Sequence, residues 1–359
     1  MKNSTFKTVV TVFGFIAILF TLMPFVALDY WWIRMFDFPH LQLTFLTALA
    51  LLIYFVKFDF KNWRDYFFAT LLISCFIFQF SKIFPYTAFA KYEILETVDD
   101  KVTISLFTSN VLQKNVEYEV LNNTCKQTNA DVLLFTETNE AWKTHITKGL
   151  SPSYKGQVEV PKDNTYGMLL YSKFELFDTH VKYLVSDSVP SIHTKLKLTE
   201  KDTVQIYAIH PTPPMPQENP SSADRDAEMM MIAQMALKSK YPVIVIGDFN
   251  DVAWSQTSKL FQNVSRLLDV RKGRGLYNTY DANSYIMRWP LDHIFLSNEF
   301  RLDEVRRCQD VHSDHFPLYT KFSFEPELKD QQTRPYPTDE QLKRAQDQID
   351  NFYDNLKNK

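Results

Sequence analysis

What most constrains this chain is its first ninety residues, where three long apolar stretches follow one another. Residues 9–28 (VVTVFGFIAILFTLMPFVAL) carry no charge and have about the length that a bilayer crossing requires. Residues 38–56 have His40 and Gln42 as polar interruptions near their start. Residues 66–84 contain Ser74, Gln79 and Lys82, the last close enough to the end to snorkel. A cleaved signal peptide does not account for the first stretch. It is too long for an h-region, no small-residue cleavage site follows, and two more stretches come after it. Three transmembrane helices are expected over residues 1–90. Lys2, Lys7, Lys57, Lys61 and Arg64 fall on one side of these spans, and Arg34, Lys82 and Lys91 on the other. The excess places the amino terminus inside and everything after residue 90 outside, with Tyr30, Trp31 and Trp32 as an interfacial belt.

The rest reads as one soluble domain over residues 97–326, followed by a tail at 327–359. Short apolar runs at 102–107, 131–136, 168–171, 191–198, 204–209, 243–246 and 291–296 read as strands. Helical spacing appears at 116–127 and 222–238, so strand and helix alternate as in an α/β fold. The run YPVIVIGDFND at 241–251 is typical: four apolar residues suit a fully buried strand, Gly247 lets the chain turn, and Asp248, Asn250 and Asp251 follow. An Asp/Asn turn that only stops the strand is the plain alternative. Polar residues recur, however, at other strand ends: Asn110, Glu137, His210, Asp292, Asp314 and His315.

That set is rich in hard oxygen donors, which suit Mg²⁺ or Mn²⁺ better than a thiolate zinc centre. Two His with Asp partners add an orientable base and a charge stabiliser, the equipment for phosphodiester hydrolysis by activated water. The motifs SNV at Asn110, FTET at Glu137, AIHPTPP at His210, IGDFND at Asp248 and Asn250, PLDHIFLS at Asp292 and HSDHFPL at Asp314 and His315 occur in one order. In that order they resemble the endonuclease/exonuclease/phosphatase (DNase I-like) superfamily, which DNase I, AP endonucleases, inositol polyphosphate 5-phosphatases and neutral sphingomyelinases share. With the spans, the chain is similar to the membrane-anchored bacterial branch.

The resemblance implies a four-layer DNase I-like α/β sandwich with the site at one end of two facing sheets. It implies Glu137 as the main metal ligand, supported by Asn110 and Asp314. His315 would activate water, with Asp292 orienting it. His210 would stabilise the phosphate or act as general acid, and Asp248 and Asn250 would position the nucleophile and phosphoryl group. Arg225 and Arg288 are secondary candidates for phosphate contacts. Two positions depart from the pattern: Leu112 stands where many members place an acidic or amide residue, and Thr136 replaces the usual Gln before the metal Glu.

Each position has an ordinary reading too. Asn110 can be a turn residue, Glu137 a helix cap, and His210 a satisfied core histidine; for His293 the core reading is preferred. Cys125 and Cys308 could pair in an oxidising space or be two buried apolar residues; the second reading is preferred. Residues 338–359 form an amphipathic helix, opened by a Thr338/Gln341 capping box, whose docking surface stays open.

The activity expected is a membrane-anchored phosphodiesterase, foremost a nuclease, with the bilayer as partner and the domain on the periplasmic side of an inner membrane. The alternatives are a phosphoesterase for lipid head groups or sugar phosphates, and a catalytically silent binding module. Between residues 99 and 325 there are 25 Lys and Arg against 29 Asp and Glu, so no overall basic footprint for nucleic acid exists. The cluster Arg271, Lys272 and Arg274 remains as a local place to steer one phosphate-rich ligand.

Overall fold

The computed structural model describes residues 2–26, 29–99 and 102–357, with the side chains of 2–4 excepted. Ala27 and Leu28, at the end of the first expected span, and Asn358 and Lys359, at the end of the tail helix, lie outside the described residues. The first helices are α1 (Lys2–Leu22), α2 (Trp31–Arg34), α3 (His40–Phe55) and α4 (Trp63–Ile83). Two segments, Thr5–Phe25 and Trp63–Tyr86, are long and apolar enough to cross a membrane. The middle stretch is bent: Trp31–Asp37 and His40–Phe55 meet at 67°. Pro39 sits at the break, and a proline disfavours helix at the residue before it. A Cβ on Gly14 would lie 2.6 Å from the Phe68 ring, so glycine lets α1 approach α4 closely.

Twelve strands follow, in two six-stranded sheets. They are β1 (Thr103–Asn110), β2 (Val132–Thr136), β3 (Gly156–Val160), β4 (Met168–Ser172), β5 (Leu176–Lys182), β6 (Ser191–Lys197), β7 (Thr203–Ile209), β8 (Val243–Asp248), β9 (Leu268–Asp269), β10 (Asp292–Leu296), β11 (Phe300–Arg307) and β12 (Leu318–Phe324). The orders are β11-β12-β1-β2-β4-β3 and β5-β6-β7-β8-β10-β9. Each sheet centres on a parallel pair, β1 with β2 and β7 with β8, flanked by antiparallel neighbours. Helix α5 (Tyr118–Thr128) joins the first pair and α7 (Ala223–Lys238) the second.

Side-chain alternation explains the layers. Ile104, Leu106, Val132 and Leu134 meet Ile206, Ala208, Ile244 and Ile246 between the sheets. On the outer faces, Phe107, Leu133 and Phe135 pack with Leu121 of α5 and with Trp142 and Ile146 of α6 (Glu140–Gly149). Val243 and Val245 pack under α7 and α8 (Gln256–Ser265). Five strands escape the apolar pattern, each for a reason of its own: β3 is short and half-exposed, β5 is exposed along nearly all its length, β9 has two residues, β11 carries charges on its open face, and β12 interleaves Thr320, Lys321 and Ser323 with its apolar residues.

The tail helix, α9 (Asp339–Lys357), opens with the expected box: Thr338 N donates to Gln341 Oε1 at 2.9 Å and Gln341 N to Thr338 Oγ1 at 3.3 Å. Its docking surface is the domain itself, where Ala345 and Ile349 join Met229, Ile232 and Ala233 of α7. Cys125 and Cys308 are buried free thiols.

Candidate active site

Strand register gathers the polar ends. Asn110 pairs with Thr136 across β1 and β2, so Asn110 and Glu137 leave the first sheet side by side. Ile209 pairs with Gly247 across β7 and β8, so His210 emerges next to Asp248, and Asp292 of β10 lies directly opposite Asp248. A Cβ on Gly247 would lie 1.8 Å from the Ile209 carbonyl oxygen, and its φ is +149°; only glycine allows this close crossing. Ser313 ties the last motif to the first sheet by donating to the Asn110 carbonyl at 2.8 Å.

The side chains converge across the gap between sheets. Asn110 Nδ2 donates to Glu137 Oε1 at 2.8 Å and to Asp248 Oδ2 at 3.1 Å, bridging both halves. His315 Nδ1 lies 2.8 Å from Asp292 Oδ2, while its Nε2 lies 3.6 Å from Asp248 Oδ2. His210 Nε2 is 3.8 Å from the same Asp248 oxygen. Glu137 does not cap α6. Asn139 Oδ1 takes that role, accepting from Trp142 N at 3.0 Å, and Glu137 turns inward with φ +59°. The Asp/Asn turn after β8 is real as well: Asn250 N donates to Asp248 Oδ1 at 3.0 Å, and Asn250 Nδ2 holds the Pro211 carbonyl at 2.9 Å.

The electrostatics favour a cation in this end of the sandwich. Burial raises the Glu137 pKa, and Asp314 adds to the rise against the opposing pull of His210 and Asn110. Burial works against a charge on His315, but Asp292 and Asp248 outweigh it and lift its pKa to about 10. Burial would also raise Asp248, yet His315 and His210 bring it below the usual carboxylate range. Asp248, Asp292 and His315 form a buried group with donor atoms within 4.8 Å of one another, able to hold a metal ion. The buried Asp292 Oδ1 and His210 Nδ1 have no hydrogen-bond partner among the described residues. A carboxylate oxygen without a donor fits a cation-binding centre.

Two secondary candidates part company. Arg225 is buried behind the site, and its guanidinium is used by Asp226, Asp251 and the Asn250 carbonyl. In that position Arg225 buttresses the β8 turn from beneath. Arg288 is half-buried on the rim, 4.9 Å from the Phe316 ring. The Arg271 cluster offers no surface for nucleic acid: Arg271 is buried on Asp269 and His293, Lys272 pairs with Glu93, and Arg274 lies 4.0 Å from the Tyr92 ring centroid. His293 is a core histidine, bonded to Arg271 and to the Asp251 carbonyl at 2.8 Å. Sequence reasoning missed Thr279, whose hydroxyl accepts from Asp292 N at 3.2 Å, and the Tyr166 and Tyr280 rings near His210 and His315. These lie in loops without periodicity; only the structure brings them in.

A family model described as "Endonuclease/Exonuclease/phosphatase family" matches residues 107–315. Comparison with curated proteins returns no match. Among solved structures, the chain is similar to D. rerio TDP2 complexed with a single-strand DNA product (15% identity, TM-score 0.52, covering 62% of this chain and 99% of that one). It is also similar to a functionally unknown conserved protein from Enterococcus faecalis V583 (16% identity, TM-score 0.51, covering 62% and 100%). Both share the two-sheet fold. With six motifs converging at one end of two matched sheets and the family model covering more than half its length, the chain belongs to the endonuclease/exonuclease/phosphatase family.

Proposed function

We propose that this protein is a metal-dependent phosphodiesterase held in a membrane by α1, α3 and α4, with its domain on the extracytoplasmic side. The observation that carries the reading is the line Asp248–His315–Asp292, set against Glu137 through the shared amide of Asn110. Glu137, Asn110 and Asp314 would hold Mg²⁺ or Mn²⁺, whose chemistry when bound is to neutralise and polarise the phosphoryl oxygens. Both nitrogens of His315 face carboxylates, which suits a ring sharing its protons along the line. The proton leaving the attacking water is taken up by this line at its Asp248–His315 end, and Asp292 keeps the imidazole oriented. His210 lies on the other side of Asp248, where it stabilises the phosphate or protonates the leaving oxygen. Asn250 holds the His210 loop through Pro211 and so sets its reach.

Nucleic acid is the first substrate class implied by the motifs, and D. rerio TDP2 has been captured with a single-strand DNA product. Against it stand the acidic balance of the domain and the internal use of the Arg271 cluster. The test uses the full chain in detergent with bis-p-nitrophenyl phosphate and Mg²⁺, Mn²⁺ or EDTA. Chelator-sensitive hydrolysis absent from Glu137→Ala and His315→Ala supports the enzyme. No hydrolysis and no metal binding would leave a silent binding module as the better account.

A further inference from the structure

The loops that carry the site are the ones pressed against the apolar helices. After β7, Trp31 N donates to the Pro220 carbonyl at 2.8 Å and Ser222 N to the Asp29 carbonyl at 2.7 Å. After β8, Trp254 Nε1 reaches the Asp37 carbonyl and the Tyr86 hydroxyl reaches the Ala253 carbonyl, both at 2.8 Å. Ahead of β10, Gln42 Nε2 donates to the Ile286 carbonyl at 2.7 Å, and Phe38 meets Trp289 edge-on at 5.6 Å. These contacts fall in the segment between α1 and α3, at the start of α3 and just past α4, and Gln256 Nε2 also donates to the Pro24 carbonyl at 3.2 Å just past α1, so the three long helices join the domain at its site-bearing edge. The catalytic edge of the sheets therefore faces the plane in which those helices would enter a bilayer.

The rim there is built for lipid. Tyr285, Ile286 and Met287 form a loop tip exposed at 93%, 74% and 46%. Gln42 fastens this tip to the first turn of α3, where Gln42, Phe45, Leu49 and Leu52 recur at helical spacing along one face. Phe45, Leu49 and Leu52 are all exposed, so the loop tip continues an apolar strip that runs down the helix. Just behind it, Arg288 and Arg307 lie 4.9 and 4.2 Å from the ring of Phe316, the residue after His315. An apolar wedge with cations behind it matches the depth profile of a phospholipid head group. A nucleic acid strand would have to enter between an acidic domain and an anionic bilayer surface, which electrostatics oppose.

We propose that the site opens onto the membrane and that its substrate is the phosphodiester head group of a membrane lipid, with residues 284–288 seated in the leaflet beside α3. The inference rests on the hydrolase and membrane-anchor readings above. The oxygen of water forms a bond to phosphorus and one of the two ester P–O bonds breaks. The leaving oxygen takes a proton, giving an alcohol and a phosphomonoester.

The full chain, reconstituted with Mg²⁺ or Mn²⁺ in vesicles of phosphatidylethanolamine and phosphatidylglycerol, is assayed by ³¹P NMR. Bis-p-nitrophenyl phosphate and a single-stranded oligodeoxynucleotide are assayed in parallel. Lipid is expected to turn over, and the double substitution Ile286→Asp, Met287→Asp to lower that turnover at least tenfold while leaving hydrolysis of the soluble ester within twofold. A fluorophore on Tyr285→Cys is expected to be quenched by nitroxide lipids whether or not the enzyme turns over. Cleavage of the oligonucleotide and the soluble ester with intact lipid overturns the proposal, as does lipid turnover indifferent to the loop substitutions or a label that lipids do not quench. Failure to cleave any of the three substrates instead overturns the hydrolase reading on which the proposal stands.

Discussion

The two sheets share a strand plan and divide the work. Each centres on a parallel pair whose ends deliver polar residues to the same gap. The first sheet supplies Asn110 and Glu137, an amide and a carboxylate. The second supplies His210, Asp248 and Asp292, the groups that line up with His315 and, in the proposed reaction, handle its protons. The second sheet's loops also carry the principal contacts with the apolar helices. Identical topology thus supports different chemistry, because strand order fixes where residues emerge and loop sequence fixes what they are.

The division can be broken most forcefully at Glu137 and His315. Glu137→Ala and His315→Ala are each expected to lower hydrolysis by roughly 10³-fold or more. Only Glu137→Ala should also remove Mn²⁺ binding, measured by calorimetry on the full chain. If His315→Ala abolishes binding while Glu137→Ala spares it, the metal belongs to the second sheet's Asp248/Asp292/His315 group instead.

A smaller but structural effect follows where β7 and β8 lie side by side at Ile209 and Gly247. Gly247→Ala places a methyl into the Ile209 carbonyl, so a loss of about 3 kcal/mol in stability is expected from denaturant unfolding. A neutral result would mean that β7 and β8 can separate enough to admit a methyl without loss of their register.

Two histidines of the second half sharpen the contrast by pH. His315 has its pKa raised to about 10, so the stability from its charge is full below its ordinary 6.5 and is lost as pH rises through that higher value. His293 is buried and beside Arg271, which takes its pKa down to about 3; its contribution is full above 6.5 and is lost as pH falls toward the lower value. Unfolding midpoints of His315→Asn and His293→Asn against wild type should therefore converge at opposite ends of the pH range. Convergence at the same end would refute the assigned environments.

The mildest expected effect is at Glu228, buried in α7 with its pKa raised to about 8 and no hydrogen-bond partner among the described residues. Its folded pKa lies above its ordinary 4.5, so stability should decline as pH rises from there to about 8. Glu228→Gln should flatten that decline and leave hydrolysis unchanged, as read from melting curves.

Buried strands were legible because a strand covered on both faces is an unbroken apolar run, as in Val243 to Ile246. Strands β5 and β11 were not, since their residues answer to edges and solvent. Asn110, Glu137, His210, Asp248, Asp292 and His315 were legible as polar punctuation at strand ends. The sequence alone could not separate Arg225 from Arg288. Both are arginines near a motif, yet one is consumed by Asp226 and Asp251 and the other stands on the rim.

By itself, the amino-acid order determined the apolar helices, the alternation that makes two layers of strands, and the polar residue types at their ends. These depend on neighbours a few positions apart, through periodicity and backbone preference. The tertiary structure alone decided that Asp292 faces Asp248, that Thr279 and the tyrosines close around the histidines, and that the catalytic edge meets the helices. Those are contacts across tens to hundreds of residues, set by strand register and packing, and no local pattern encodes them.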